Sequence, residues 1–318
     1  MSLKNKIVSF SLALALLSQF GVMSKAMTYD EIRQIKGADR YATAGSISGD
    51  MGSYDSVILV NADKNLADGL SASGLSGVIK APILLVKKDS IPNETQLRLD
   101  IAKKIYIIGS ENSISKSVEN QLKDENMGGF SVKRIGGSDR IETSNNIAKE
   151  IINIKGSIGK VFVTNGNKGE ADAMSISAVA SRDGEPVLLT NGSTINDVTA
   201  SIIEKTRNVY AIGGRNLMST GLVSSISATR ISGDDRYKTN AAVIKNFYKD
   251  YPTKIYLSDG YKLVDALTGG PLAGRNVSPI ALVGLNSDKT ALSGANELVS
   301  LGGISESILR KCAAAVNG

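Results

Sequence analysis

One stretch occurs three times in this chain, and that repetition limits the fold more than any other feature. Arg134-Ile135-Gly136-Gly137-Ser138-Asp139-Arg140-Ile141-Glu142-Thr143 has a counterpart 100 residues earlier, from Gln34 to Thr43, and another 96 residues later, from Arg230 to Thr239. All three share Ile-x-Gly-x-Asp-Arg-x-x-Thr without a gap. Five fixed positions recurring at nearly constant spacing make the chain a tandem triplicate.

Each copy continues through the same elements. A short apolar run (Val57–Val60, Val161–Thr164, Ile255–Leu257) is followed by an eight-residue loop ending in Asp68, Asp172 or Asp265. Small and aliphatic residues follow each acid and read as a helix. A proline-led strand comes next: Pro82-Ile83-Leu84-Leu85, Pro186-Val187-Leu188-Leu189 and Pro279-Ile280-Ala281-Leu282. Proline is tolerated there because the first residue of a strand need not donate to the ladder. A polar helix then leads to Ile105–Gly109, Val209–Gly213 and the weaker Leu298–Gly302. Strands alternating with helices predict α/β units with mainly parallel sheets, and near-continuous apolar runs suit strands covered on both faces. With no polar capping repeat, three units predict a closed pseudo-threefold assembly rather than an open array. The third copy is the most worn: Pro271 is expected to interrupt its first helix, and Pro279 to Gly302 spans 23 positions against 27 from Pro82 to Gly109.

Composition narrows the chemistry. The 318 residues include no histidine, so no Ser-His-Asp or Cys-His nucleophile and no imidazole metal ligand can form. The lone Cys312 can make neither an intrachain disulfide nor a thiolate cluster. Tryptophan is absent, which excludes a sugar platform built on indole rings. Residues 1–26 read as a secretory signal peptide: Lys4 and Lys6, an apolar stretch from Ile7 to Val22, then Ser24-Lys25-Ala26. The apolar run is shorter than the roughly 20 residues of a spanning helix. Losing Lys4, Lys6 and Lys25 would lower the formal charge of +6 to +3, a mild excess compatible with an anionic partner. Three repeats then fill residues 27–127, 128–225 and 226–318.

The recurring residues allow two readings each. Gly37, Gly137 and Gly233 turn the chain after a strand, and Asp39, Asp139 and Asp235 cap the helix that follows. Arg40, Arg140 and Arg236 then either bridge to a neighbouring unit at the centre of the assembly or face an anion with their bidentate fork. Asp68, Asp172 and Asp265 lie past the carboxyl ends of strands, where parallel sheets place ligand sites, and also where a helix needs a cap. Counted back from these acids, Asp63 is replaced by Asn167 and Gly260, so no carboxylate pair and no oxygen-rich metal set recurs. The Gly-rich turns match neither nucleotide-binding loop pattern. Lys87-Lys88 and Lys103-Lys104 read as solvated edges.

Together the threefold motif, the strand-loop-Asp element, the Pro-Ile-Leu-Leu strand and the Ile-Gly-Gly turn resemble the cell-wall-binding repeat type 2 of clostridial surface proteins. The resemblance spans the chain from about Thr28 onward. It implies three Toprim-like α/β units, each a mainly parallel sheet flanked by helices, arranged as an intrachain pseudo-trimer. It further implies a secreted, non-catalytic protein of a Gram-positive surface layer, without cofactor or metal. An anionic wall polysaccharide is the implied partner, other surface-layer proteins a second class, and nucleic acid none. In that family the Pro-Ile-Leu-Leu motif is implicated in polymer binding, which would carry to Pro82–Leu85 and Pro186–Leu189, and less fully to Pro279–Leu282 because of Ala281. Physically such a strand suits a cleft wall, leaving the charged contacts to the three arginines. An effector region is expected beside such repeats, so the sequence reads as an anchor alone or as part of a longer chain. Self-associating surface-layer subunit and wall-glycan enzyme remain the alternatives.

Overall fold

The structure is a computed structural model that describes residues 26–317 apart from 62, 64, 65, 67, 128, 250 and 251. The leader reading covers residues 1–26, of which all but Ala26 lie outside the described residues. Strand β1 (Arg33–Ile35) opens the chain, before helix α1 (Arg40–Asp50). The first unit continues through β2 (Ser56–Asn61), α2 (Ala72–Ile79), β3 (Ile83–Val86), α3 (Asn93–Leu99), β4 (Lys104–Ile108), α4 (Lys116–Lys123) and β5 (Ser131–Ile135). The second repeats the order: α5 (Arg140–Lys155), β6 (Val161–Asn165), α6 (Glu170–Asp183), β7 (Val187–Thr190), α7 (Asp197–Ile203), β8 (Val209–Ile212), α8 (Thr220–Ser225) and β9 (Thr229–Ile231). The third comprises α9 (Arg236–Phe247), β10 (Lys254–Asp259), α10 (Val264–Arg275), β11 (Ile280–Val283), β12 (Glu297–Leu301) and α11 (Glu306–Val316). A single 3-10 turn, Thr290–Leu292, stands where the other units have a helix before their third strand, which accounts for the shorter spacing.

Three four-stranded sheets result, ordered β3-β2-β4-β5, β7-β6-β8-β9 and β11-β10-β12-β1, with every pairing parallel. The α/β reading is borne out, as is burial on both faces: Val57 to Val60 and Ile83 to Val86 are shielded throughout. The third sheet takes its fourth strand from the opposite end of the chain. β1 lies on β12 with Arg33 opposite Val299 and Ile35 opposite Leu301, so the ring closes and no repeat is left with an unpaired end. One hydrogen bond is repeated at all three junctions. Gly109, Gly213 and Gly302 donate their N–H to the carbonyls of Ile135, Ile231 and Ile35 at 2.9, 3.0 and 2.8 Å.

Helices α2, α6 and α10 meet at the centre. Their facing residues are small because the backbones nearly touch: a Cβ on Gly77 would overlap the Ser181 carbonyl, one on Gly74 the Glu185 carbonyl, and one on Gly274 would lie 2.7 Å from the Arg182 nitrogen. The Ser177 hydroxyl donates across to the Ala266 carbonyl at 3.3 Å. Glycine and serine, not arginine pairs, therefore occupy the axis. α10 also runs on through Pro271 instead of breaking. Gly270 before it has no Cβ to collide with the proline ring, and packing on two neighbouring helices offsets the lost ladder bond. Among the described residues no helix is long and apolar enough to cross a membrane.

The axis contact predicts that Gly77→Ala lowers the unfolding free energy by about 3 kcal/mol, the upper range for overpacking a filled site. Gly221→Ala, where a Cβ meets open space, should change it by less than about 0.5 kcal/mol. Urea denaturation of both variants checks this; equal stability would mean the helices can separate freely.

Candidate functional site

Each motif is built the same way. Asp39, Asp139 and Asp235 are extended N-caps whose carboxylates accept from the backbone N–H of Ala42, Glu142 and Lys238 at 2.8 Å. The N–H groups of Gly37, Gly137 and Gly233 donate to the hydroxyls of Thr43, Thr143 and Thr239 at 3.0, 3.1 and 3.0 Å. A Cβ on Gly137 would stand 2.6 Å from the Glu142 Cβ, so the turn admits glycine alone. Asp, Gly and Thr thus have local structural duties. The arginine does not share them. Arg140 Nη1 donates to the Gly166 carbonyl at 2.5 Å and Arg236 Nη1 to the Gly260 carbonyl at 2.8 Å, which ties each arginine to the loop after the first strand of its own unit.

The loop acids come from the preceding unit. Thr143 Oγ1 lies 3.4 Å from Asp68 Oδ1, and a cleft of about 410 Å3 is lined by Asp68, Lys88, Ser138 and Arg140. A second cleft, about 530 Å3, is lined by Arg40 and Leu66 of the first unit and Asp265 of the third, with Glu170 from the second. At the remaining junction Arg236 is the charge that acts on Asp172. Motif arginines and loop acids, separate in sequence, meet pairwise at the carboxyl ends of the sheets, where α/β proteins bind ligands. The cavity of about 620 Å3 between Met27 and Asn317 contains no motif residue.

The acids do not cap. Asp172 and Asp265 lie inside the first turns of α6 and α10, whose N-caps are Gly169 and Leu263, and Asp68 makes no cap bond. Their carboxylates press instead on the glycine ending the third strand of each unit. A Cβ on Gly109 would stand 2.6 Å from Asp68 Oδ2, one on Gly213 2.7 Å from Asp172 Oδ2, and one on Gly302 would overlap the Asp265 carboxylate. Those glycines have φ of 109°, 128° and 72°, so the Ile-Gly turn serves both backbone and acid. Asp172 and Asp265 are only 4% and 7% exposed, and Asp172 Oδ2 has no hydrogen-bond partner. Desolvation pushes both carboxyls up to about 6, partly opposed by Arg236 at Asp172 and by Lys262 and Arg40 at Asp265.

The Pro-Ile-Leu-Leu residues lie elsewhere. Pro82, Ile83, Leu84 and Leu85, with Pro186–Leu189 and Pro279–Leu282, are buried, and none of them lines either cleft. Of the lysine pairs, Lys88 lines the first cleft while Lys104 stands over the Tyr106 ring at 4.6 Å. Sequence reasoning missed the residue ending each first strand. Asn61, Asn165 and Asp259 accept with Oδ1 from the N–H of Asp63, Asn167 and Tyr261, each at 2.8 Å. Asn165 also donates to the Leu217 carbonyl at 2.8 Å and Asn61 to the Ser113 carbonyl at 2.6 Å. Their recurrence as a polar residue just after each apolar run was the available signal. These bonds also correct the loop equivalence, since Tyr261, not Gly260, corresponds to Asp63. Burial pushes the Cys312 thiol up to about 11, which makes it a core residue. Among the described residues no acidic or cysteine cluster could hold a metal ion.

Fold and site together define a three-repeat α/β protein with a motif arginine and a loop acid at each junction and polar clefts at two of them. Residues 34–119, 134–223 and 230–308 match the family described as Cell wall binding domain 2, CWB2, and the chain belongs to that family. A wall-binding family indicates a secreted, wall-associated protein. The chain is similar to the N-acetylmuramoyl-L-alanine amidase LytC of Bacillus subtilis, 31% identical over 81% of this chain and 51% of that one. It is also similar to the amidase enhancer of the same organism, 35% identical over 78% of this chain and 34% of that one. Among solved structures, Cwp6 from Clostridium difficile superposes with a TM-score of 0.84 at 32% identity, covering 92% of this chain and 48% of Cwp6. Cwp8 from the same organism gives 0.81 at 34%, covering 90% and 52%. The chain therefore spans about half or less of the length of these relatives.

Because the folded protein holds protons on Asp172 and Asp265 that the unfolded chain releases near pH 4, stability should fall as pH rises from about 4 to about 6 and stay lower above that. Asp172→Asn is expected to be more stable than the parent at pH 7.5, by on the order of 2 kcal/mol, and indistinguishable from it near pH 4. Denaturant titrations at both values test this; a variant less stable at pH 7.5 would show that the carboxylate makes a favourable bond in the fold.

Proposed function

We propose that this is a non-catalytic secreted module that holds non-covalently to the cell wall by binding an anionic, phosphate-containing wall polymer in up to three clefts. The reading rests on one observation: each junction pairs a motif arginine with a loop acid at the carboxyl edge of a sheet. Guanidinium groups match phosphate oxygens in geometry as well as charge, and Lys88 adds a further cation to the first cleft. The buried acids supply acceptors for ligand hydroxyls. With no histidine in the chain and no recurring pair of acids, the clefts are equipped to bind rather than to transfer protons or groups. Three weak sites on one rigid body act together on a repeating polymer, because the second and third contacts are intramolecular. Such linkage raises avidity on the order of 10²–10⁴-fold.

Co-sedimentation with purified walls, intact or stripped of anionic polymer, tests the proposal across a salt series. Binding is expected only to intact walls and to weaken with salt, as contacts screened over about 8 Å do. Arg140→Gln should weaken binding several-fold, and the combined Arg40→Gln, Arg140→Gln, Arg236→Gln variant should abolish it while still melting cooperatively. Equal binding to stripped walls, or a folded triple variant that binds normally, would overturn the proposal.

A further inference from the structure

The three junctions share a frame but not a lip. The bond shared by all three copies at the position two residues beyond each strand-ending Asn or Asp is made by its backbone N–H, so its side chain is free to differ: Asp63, Asn167 and Tyr261. In the first repeat the slot is closed by its own neighbour, since Tyr41 donates its hydroxyl to Asp63. In the third the side chain is an aromatic ring turned to solvent. Tyr261 is 74% exposed, more than any other large apolar side chain among the described residues.

A ring so exposed would ordinarily wander, but this one is held. The Arg236 guanidinium stands 4.4 Å from its centroid, and the Tyr237 ring meets it at 6.4 Å with an interplanar angle of 76°. Arg236 is in turn fixed by its bond to the Gly260 carbonyl. A cation over one face and an edge-on ring fix the plane of Tyr261 at little cost in entropy at binding. The same side chain lines the cleft containing Arg40, Lys262 and Asp265, while its partner Arg236 is the cation acting on Asp172. Tyr261 therefore lines the cleft of one junction and, through Arg236, touches the charged pair of the next.

We infer that Tyr261 is a stacking platform for a pyranose ring of the polymer, with the anionic groups flanking that sugar directed to Arg40 and Lys262 on one side and Arg236 on the other. A pyranose presents C–H groups on its face and hydroxyls at its rim. An open aromatic face ringed by cations and a buried carboxylate complements both parts, as small-ligand sites do by pairing apolar area with a few placed polar groups. A bare polyphosphate has nothing to gain from the ring. The inference rests on the polymer-binding reading and adds to it the chemical class of unit recognised: a sugar at the third loop, not phosphate alone.

The test measures binding of the full chain to intact walls for Tyr261→Ala, Tyr261→Phe and Tyr261→Asn, the last installing the residue of the second repeat. Loss of the ring should weaken binding about tenfold in the Ala and Asn variants, the size of one aromatic contact, with the salt dependence unchanged. Phe should bind within about twofold of the parent. A second readout uses 3-fluorotyrosine-labelled protein, with the Tyr261 fluorine signal assigned by its absence in Tyr261→Phe. Polymer released from walls should shift that signal, and inorganic polyphosphate should not. Wild-type binding that needs the polymer but is indifferent to Tyr261→Ala, or an equal shift with polyphosphate, would overturn the platform and leave the anchoring proposal standing. Failure of the parent protein to bind walls at all would overturn both.

Discussion

The backbone contact of α2, α6 and α10 is the constraint on which the rest of the molecule depends. Glycine at 74, 77 and 274 lets these helices approach until carbonyls of one stand where side chains of another would be. The loop acids lead these same helices, with Asp172 and Asp265 in their first turns. Fixing the helices therefore fixes the acids over the sheet ends. Small residues at the axis line neither of the two polar clefts, yet they set where the clefts lie relative to one another, the spacing that the proposed multivalent binding would use.

The outer ring is held by a second coupling. In each unit the glycine after the third strand donates to the isoleucine of the motif strand and also makes room for the loop carboxylate. Three features that look independent along the chain are one joint: the Ile-Gly turn, the Ile-x-Gly-x-Asp-Arg motif and the loop acid. The joint keeps two carboxylates nearly out of water, which opposes stability at neutral pH. Strain of this sort, maintained at recurring positions by the surrounding frame, is typical of sites that use it.

Much of this frame was legible in the sequence because it is made of local rules. Apolar runs of strand length, a proline at strand starts and an Asp before a helix gave the α/β units and the caps at Asp39, Asp139 and Asp235, and the lack of a polar capping repeat gave the closed arrangement. What was not legible depends on partners far apart in the chain. β1 belongs to the sheet of β12, more than 260 residues away, and no local pattern tells a strand which sheet it joins. The loop acids resemble caps in sequence, since Asp172 and Asp265 lie only three and two residues past the N-cap positions; only Gly109, Gly213 and Gly302 packed against them reveal the difference. Pro271 reads as a breaker until Gly270 and the neighbouring helices are taken into account.

The loop equivalence carries a more general lesson about repeated sites. Counting back from the acid pairs Asp63 with Gly260, whereas counting forward from the strand pairs it with Tyr261, and the Asx bonds decide for the second. The third loop is one residue shorter between strand and acid, so the deletion falls after the turn, where no recurring hydrogen bond is disturbed. Positions with side-chain duties in the joint are the same in all three copies: Gly, Asp, Arg and Thr of the motif, the acid and its glycine. The slot at Asp63, Asn167 and Tyr261 supplies the joint with a backbone N–H only, which any residue but proline provides. Divergence among the copies is thus channelled to the lips of the clefts without loosening the frame. One rigid body can in this way carry three different surfaces, which the proposed binding of a repeating polymer would meet with successive units.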